Sequence, residues 1–424
     1  MNSLAVLGLI TEIFTSRDTL AAARLRKNAF TRNRKMPFFD ALCFMLDMRK
    51  TTLQTRLNIF FKHNQEGNEP SGDESMRQDP ISQQSFSKLR ANFDHSPFET
   101  TVRALVKEEY SGKYPLSLWY GFHLLAVDGS YLQLPRTDEL RRAFGVRGQD
   151  VCPMAGISTL FDVLHGWALD PALSNSYMNE RDQLEKHMDF LSRELPHVAD
   201  KTILLLDRGY PSKDLFRTIQ ESGFRFVARC KTGFAKVVDK APLGDSMVTL
   251  ANGVSVRIVK FELENGTIET LATNLPDFPM EAISELYALR WGIEVMYFKL
   301  KRELCVEKFS GITANSIRQD FWASMVLLNF VAVIQHETDE AVRERQQDNS
   351  PKYQNRARTS DLIITLRDRF IFAALCGHPM LTAWEMEDMI KTLARVVSPV
   401  RPGRSFPRNF KPLFFVNHNL KSHL

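Results

Sequence analysis

Residues 202–210 read TILLLDRGY, and their reading decides the fold. A run of apolar and β-branched residues stops at an acid, Asp207, and passes into a segment that contains a glycine. That is the pattern of a short strand, buried on both faces, whose last residue is a carboxylate. Residues 122–130, FHLLAVDGS, repeat the pattern and end the apolar run at Asp128. In open α/β sheets ligands bind outside the carboxyl ends of the strands, so both side chains would face one crevice. Singly, an aspartate in DG or DRG reads as a turn former.

A third stretch supplies another acid. Residues 287–301, YALRWGIEVMYFKLK, place Tyr287, Arg290, Glu294 and Lys301 at the spacing Y-x2-R-x3-E-x6-K. At about 100° per residue the four fall within a stripe roughly 60° wide on one helix face. Leu286, Leu289, Ile293, Tyr297, Leu300 and Leu304 follow the three-and-four spacing of a buried side, and Trp291, Val295 and Phe298 form a smaller apolar patch on the other flank. This predicts a helix packed on two sides, with Glu294 facing a cleft. The same residues on an exposed helix would read as simple ion pairs, and the helix alone does not choose.

Chemistry gives a reason for three acids to converge. Hydrolysis or transesterification of a phosphodiester needs a sharpened oxygen nucleophile and neutralised charge on the leaving oxygen, and two divalent ions about 4 Å apart serve both ends. Carboxylates are hard donors that suit Mg2+, with Mn2+ able to substitute. Crowded without a cation, they would raise one another's pKa. Zinc is not indicated, because Cys43, Cys152, Cys230, Cys305 and Cys376 form no C-x2-C pair. His165 and His187 read as structural histidines.

These marks, with TNLP at 273–276 and RWGIE inside the helix, resemble the bacterial DDE transposases of the insertion-sequence-four group, the YREK transposases, over roughly Gly121 to Gly311. The resemblance implies an α/β fold with a ribonuclease-H-like catalytic core. It implies a magnesium-dependent site, two ions per site, in which Asp128, Asp207 and Glu294 are both the catalytic and the metal-holding residues. It further implies that Tyr287, Arg290 and Lys301 contact transposon-end phosphates, and Arg208 matches the family's second motif beside the same strand. The implied activity is cut-and-paste DNA transposition. Its partners would be double-stranded DNA, both inverted-repeat ends and target, and a second copy of the chain as a homodimer in the synaptic complex.

Between the aspartates the order of elements agrees with such a core. GISTLF and HGWALDPAL read as strands, RDQLEKHMDFLSREL as a helix, and FRFVARC, after a helix at about 212–221, as a fifth strand. From 231 to 272 the pattern turns to β, with Asn252-Gly253 and Asn265-Gly266 as hairpin signals. This β insertion has no tryptophan of the kind that holds a flipped base in some relatives. Phe234 and Phe261, its large aromatics, read as core packing.

The expected organisation is therefore a helical DNA-binding region over 1–116 with a polar linker near 63–80, a core of 117–230 and 273–312 interrupted by the insertion at 231–272, and a helical region with a basic tail over 313–424. Within 1–116, helical runs near 4–25 and 38–61 precede the linker, and ISQQSFSKLRANF offers Gln83, Gln84, Ser85, Lys88 and Arg90 as possible base readers, although a plain packing helix fits it better. The last third reads as helices at about 316–336, 360–374 and 382–397 around a polar loop at 337–359. Net charge is only +5, but 24–35 holds six basic side chains and no acid, and 401–424 holds five more, again with no acid. The longest apolar stretch, 321–334, is too short to span a bilayer, and the amino terminus lacks the basic start of a signal peptide, so a cytoplasmic location is expected. Two other readings use the same residues. A structure-specific nuclease would need the acids but no end-specific region, and a non-catalytic DNA-binding regulator would have no reason to keep the acids.

Overall fold

The computed structural model of the protein describes residues 1–32, 34–47, 51–66, 79–148, 152–275, 277–346, 353–366 and 379–400. Most of the polar linker, Pro276 of TNLP, the end of the helix expected at 360–374 and the basic tail lie outside the described residues.

In chain order the helices are α1 (Ser3–Thr15), α2 (Arg17–Ala23), α3 (Phe38–Leu46), α4 (Leu53–Glu66), α5 (Gln83–Arg90), α6 (Ser96–Glu109), α7 (Asp138–Phe144), α8 (Glu180–Glu194), α9 (Pro196–Ala199), α10 (Lys213–Glu221), α11 (Lys236–Asp239), α12 (Met280–Ala288), α13 (Trp291–Phe298), α14 (Ala314–Arg345) and α15 (Pro379–Leu393). The strands are β1 (His123–Gln133), β2 (Met154–Asp162), β3 (Trp167–Ser174), β4 (Thr202–Leu206), β5 (Arg225–Arg229), β6 (Gly244–Thr249), β7 (Ser255–Glu262), β8 (Ile268–Thr273), β9 (Asn355–Ala357) and β10 (Val397–Pro399). They form two compact units, one of residues 109–131 and 155–298, the other of 1–108, 132–154 and 299–424.

The first unit is built on an eight-stranded sheet of order β3-β2-β1-β4-β5-β8-β7-β6. β1, β4 and β5 are parallel, and β2 and β3 antiparallel. Strand order 3-2-1-4-5 with that mixture of directions is the ribonuclease-H-like core. Every residue of β4 is buried, as expected of a strand covered on both faces. The β insertion does not stand apart from this sheet. It is a meander whose last strand, β8, pairs antiparallel with β5 and so extends the core sheet. Both Asn-Gly pairs lie in its reversals, with Gly253 at φ 84° and Gly266 at φ 77°. Phe234 packs edge-on against Phe216, with ring centroids 5.7 Å apart.

The helical unit is built around α14, whose Phe321 and Phe330 are fully buried. The helix runs to Arg345, well into the segment expected as a polar loop. It has the length and composition of a membrane span, but 89% of its apolar window is buried in the protein, as expected of a core helix. The expected helix at 4–25 breaks at Ser16, which caps α2 through its side chain. β9 and β10, a short antiparallel pair, were not expected. Arg90 is also not a base reader. It is 4% exposed and tied into the core by Asp320, while Gln83, Gln84, Ser85 and Lys88 are exposed.

Candidate active site at the β1 and β4 ends

Parallel pairing puts Val127 opposite Leu206, so Asp128 and Asp207 are the next residues on adjacent strands. Asp207 follows the last residue of β4, as expected. Asp128 does not end its strand. β1 continues to Gln133, and Gly129 extends the strand rather than making a turn.

The glutamate helix also departs from a single straight helix. Between α12 and α13 the chain tightens into a turn of i→i−3 bonds, Arg290 N–H to Tyr287 O at 3.0 Å and Ile293 N–H to Arg290 O at 3.1 Å. After α13 it widens into a π-helical turn, Lys299–Glu303. The 60° stripe drawn on one ideal helix is thereby broken. Leu286, Ile293, Tyr297, Leu300 and Leu304 are buried as expected, but Leu289 is exposed, and so are Trp291, Val295 and Phe298. Packing on two sides is not what the described residues give.

Four members of the motif set nevertheless meet. Arg290, 6% exposed, donates from Nη2 to Glu294 Oε1 at 2.9 Å and lies 4.0 Å from Asp207 Oδ1. Its guanidinium sits 5.7 Å from the centre of the Tyr287 ring, and the Tyr287 hydroxyl lies 3.5 Å from Asp207 Oδ1. Burial alone would lower the Arg290 pKa, but Tyr287, Asp207 and Glu294 outweigh it and raise it. Its Nη1 is buried with no hydrogen-bond partner. Burial pushes the Asp128 carboxyl up to about 6; the Gly129 N–H, 2.9 Å away, and Arg290 oppose this, while Glu180 and Asp207 add to it. Arg208 is exposed beside Asp207. Lys301 belongs to the other unit, where burial lowers its pKa against the pull of Glu307.

Three residues escaped the sequence reading. The Tyr297 hydroxyl donates to the Asp128 carbonyl at 2.8 Å and fastens the Glu294 helix to β1. Glu180 opens α8 beside Asp128, and Tyr210 is buried with an unpartnered hydroxyl near Glu180, Asp128 and Asp207. In the sequence Tyr297 reads as core, and Tyr210 is visible only as the end of DRGY. Replacing Tyr297 with Phe removes this part-buried bond and is expected to cost about 1 kcal/mol. Denaturant midpoints check this, and a loss under about 0.5 kcal/mol would mean the bond does not fasten the helix.

A divalent cation suits these residues by donor chemistry, since Asp128, Asp207 and Glu294 are all carboxylates, and the nearby Tyr210 hydroxyl is a buried polar group without a partner. As they stand, no three His, Cys, Asp or Glu side chains among the described residues are close enough to share an ion, and Arg290 is the counter-charge for Asp207 and Glu294. The histidines are structural. His187 bonds Ser158 Oγ at 2.9 Å and Asp170 at 2.6 Å, and His165 bonds Asp162 at 3.0 Å. Although Ser158, His187 and Asp170 are bonded like a hydrolase triad, Ser158 is fully buried and no substrate can reach it.

Residues 119–330 match the model of the transposase DDE domain family. The chain is 24% identical over 248 residues to the transposase InsG for insertion sequence element IS4 of Escherichia coli K12, covering 50% of this chain and 52% of InsG. It is 23% identical over 206 residues to InsZ of the same organism, covering 47% of this chain and 62% of InsZ. The match thus spans about half to three-fifths of these relatives. A piggyBac transposase, solved as a synaptic complex with hairpin DNA, is 12% identical at a TM-score of 0.48, covering 96% of this chain and 88% of that one. With half of its length matched by the family model, the chain belongs to the DDE transposases and is IS4-like.

Proposed function

We propose that this chain is a cut-and-paste DNA transposase: it binds the inverted-repeat ends of its own element, hydrolyses a phosphodiester at each end to free a 3′ hydroxyl, and joins that hydroxyl to target DNA. The observation that carries the reading is the gathering of Asp207, Glu294 and Tyr287 around one buried guanidinium, Arg290, with Asp128 level with Asp207 on the neighbouring strand.

Asp128, Asp207 and Glu294 would hold the divalent cations that the family implies, Mg2+ with Mn2+ able to replace it, and these would supply Lewis acidity at the attacking and leaving oxygens. Arg290 would hold a DNA phosphate. Its unpartnered Nη1 is a buried donor awaiting an acceptor, and a phosphate oxygen satisfies it. An arriving phosphate would also compete for the guanidinium and loosen its grip on Glu294. The Tyr287 ring lies within cation–π range of the Arg290 guanidinium, 5.7 Å from its centre, and would help hold it. Arg208 and Lys301 would add phosphate contacts.

DNA binding away from the carboxylates has its own support. In the helical unit a cleft of about 1290 Å³ is lined by Arg17, Arg26, Arg32, Arg34, Lys35 and Lys88. It contains much of the basic segment 24–35, and such clefts release counterions when they take up a duplex backbone. Homodimerisation during synapsis and a cytoplasmic location complete the proposal.

The test is incubation with the element's own end DNA, Mg2+ and a target plasmid, scored for nicking and for joining. Both products are expected. Nicking without joining would make the protein a nuclease, and binding without either would make it a regulator.

A further inference from the structure

We infer that Glu180 is a fourth carboxylate of the Asp128 and Asp207 site and helps hold its divalent cation; this rests on the reading given under Proposed function.

The argument begins with two glycines. Gly129 follows Asp128, and Gly209 lies two residues after Asp207. Neither has a positive φ, so the backbone does not require glycine at either place. Space does. A Cβ on Gly129 would lie 2.7 Å from Glu180 Oε1 and 3.0 Å from its Cγ, and a Cβ on Gly209 would lie 3.3 Å from Oε2. The glycines of DGS and DRGY therefore face the two oxygens of one carboxylate. A strand glycine without a turn commonly marks such a close approach.

Glu180 is also held there. It is the first residue of α8, and the next residue, Arg181, donates to the carbonyls of Gly209 at 3.3 Å, Tyr210 at 3.0 Å and Pro211 at 3.2 Å. Three bonds thus fasten the start of α8 to the loop that follows Asp207. A helix amino terminus welcomes an acid on its own account. That leaves two things unexplained: the paired glycine cradle, and Tyr210. The Tyr210 side chain is 1% exposed, its hydroxyl has no partner, and the charges that act on it are those of Glu180, Asp128 and Asp207, together with the Tyr297 hydroxyl. A buried hydroxyl without a partner is costly, and one that feels the charge of three carboxylates fits a site that gains polar occupants with its cation.

Direct Mn2+ binding to the full chain, followed by the electron paramagnetic resonance of the free ion, tests this without any turnover. Glu180→Gln keeps the shape of the side chain and removes its charge. Gly129→Ala keeps every carboxylate and pushes Glu180 aside. Both are expected to weaken Mn2+ binding at least tenfold, as is Asp207→Asn, while Arg193→Ala, at an exposed side chain on the far end of α8, binds as the parent does. Parent-like binding by Glu180→Gln alongside loss in Asp207→Asn would reduce Glu180 to a helix-start acid and leave the main site standing. Parent-like binding by Asp207→Asn would remove the underlying reading itself. If Glu180→Gln does not fold, Gly129→Ala decides, and parent-like binding there overturns the inference.

Discussion

Asp128→Asn is expected to yield a protein that binds end DNA as before, cuts it at least about a thousandfold more slowly, and is more stable than the parent in EDTA at pH 7. The loss of cutting follows from removing a carboxylate at the centre of the site. The gain in stability follows from the pKa. Burial holds the Asp128 carboxyl at about 6, above the usual value near 4, so the folded protein keeps a proton that the unfolded chain releases. The associated stability is fully present below about pH 4 and is lost as pH rises through 6. At about 1.4 kcal/mol per pH unit the displacement caps the penalty at about 3 kcal/mol, and the part of the carboxylate that meets water lowers it to about 1–2 kcal/mol. Asparagine carries no charge, so it avoids the penalty at neutral pH and has no advantage in acid. Urea unfolding of both proteins at pH 4 and pH 7 reads this directly. An Asp128→Asn protein that still cuts in Mg2+ at the parental rate would remove Asp128 from the catalytic set, and equal stabilities at pH 7 would mean its charge is already compensated.

The same arrangement explains which parts of the site were legible in the sequence. Asp128 and Asp207 could be read because a strand buried on both faces leaves a continuous apolar run that ends sharply at the first polar residue. The hairpins of the insertion could be read because Asn-Gly favours the positive φ that Gly253 and Gly266 adopt. The geometry of Tyr287, Arg290, Glu294 and Lys301 was only partly legible. Their identities mark the helix, but Leu289 and Arg290 are ordinary helix formers, and no proline announces the tight turn that aims Arg290 at both acids. Lys301 falls past a change from α to π winding and into the other compact unit, which no periodicity foretells. Glu180 was hidden for a different reason. It opens an amphipathic helix, where acids are common, and only the spatial approach of two glycines, one on β1 and one in the turn after β4, sets it apart.

Outside the site, Asp320→Ala is expected to be the most damaging single replacement in the helical unit, at about 3–5 kcal/mol. Arg90 and Asp320 are 4% and 3% exposed and meet at 2.9 Å. Arg90 also donates to Gln319 Oε1 at 2.9 Å, Ser310 Oγ at 2.6 Å and the Ser316 carbonyl at 3.1 Å, and the Ser310 N–H donates to Asp320 at 2.6 Å. The network thus ties the end of α5 to the first turns of α14. Removing Asp320 leaves a guanidinium in the core without its counter-charge, and that uncompensated charge is the main source of the loss. Replacing both partners with apolar residues, Arg90→Met with Asp320→Leu, removes the charge along with the bond, so the double variant is expected to recover much of what Asp320→Ala loses. Denaturant unfolding followed by far-ultraviolet circular dichroism reports the helical unit, with separate transitions fitted if the two units unfold apart. A cost below about 1 kcal/mol for Asp320→Ala would show that water reaches Arg90. The wider consequence is that α5 lends its buried arginine to the core and is left with its exposed Gln83, Gln84, Ser85, Ser87 and Lys88 for any contact with DNA.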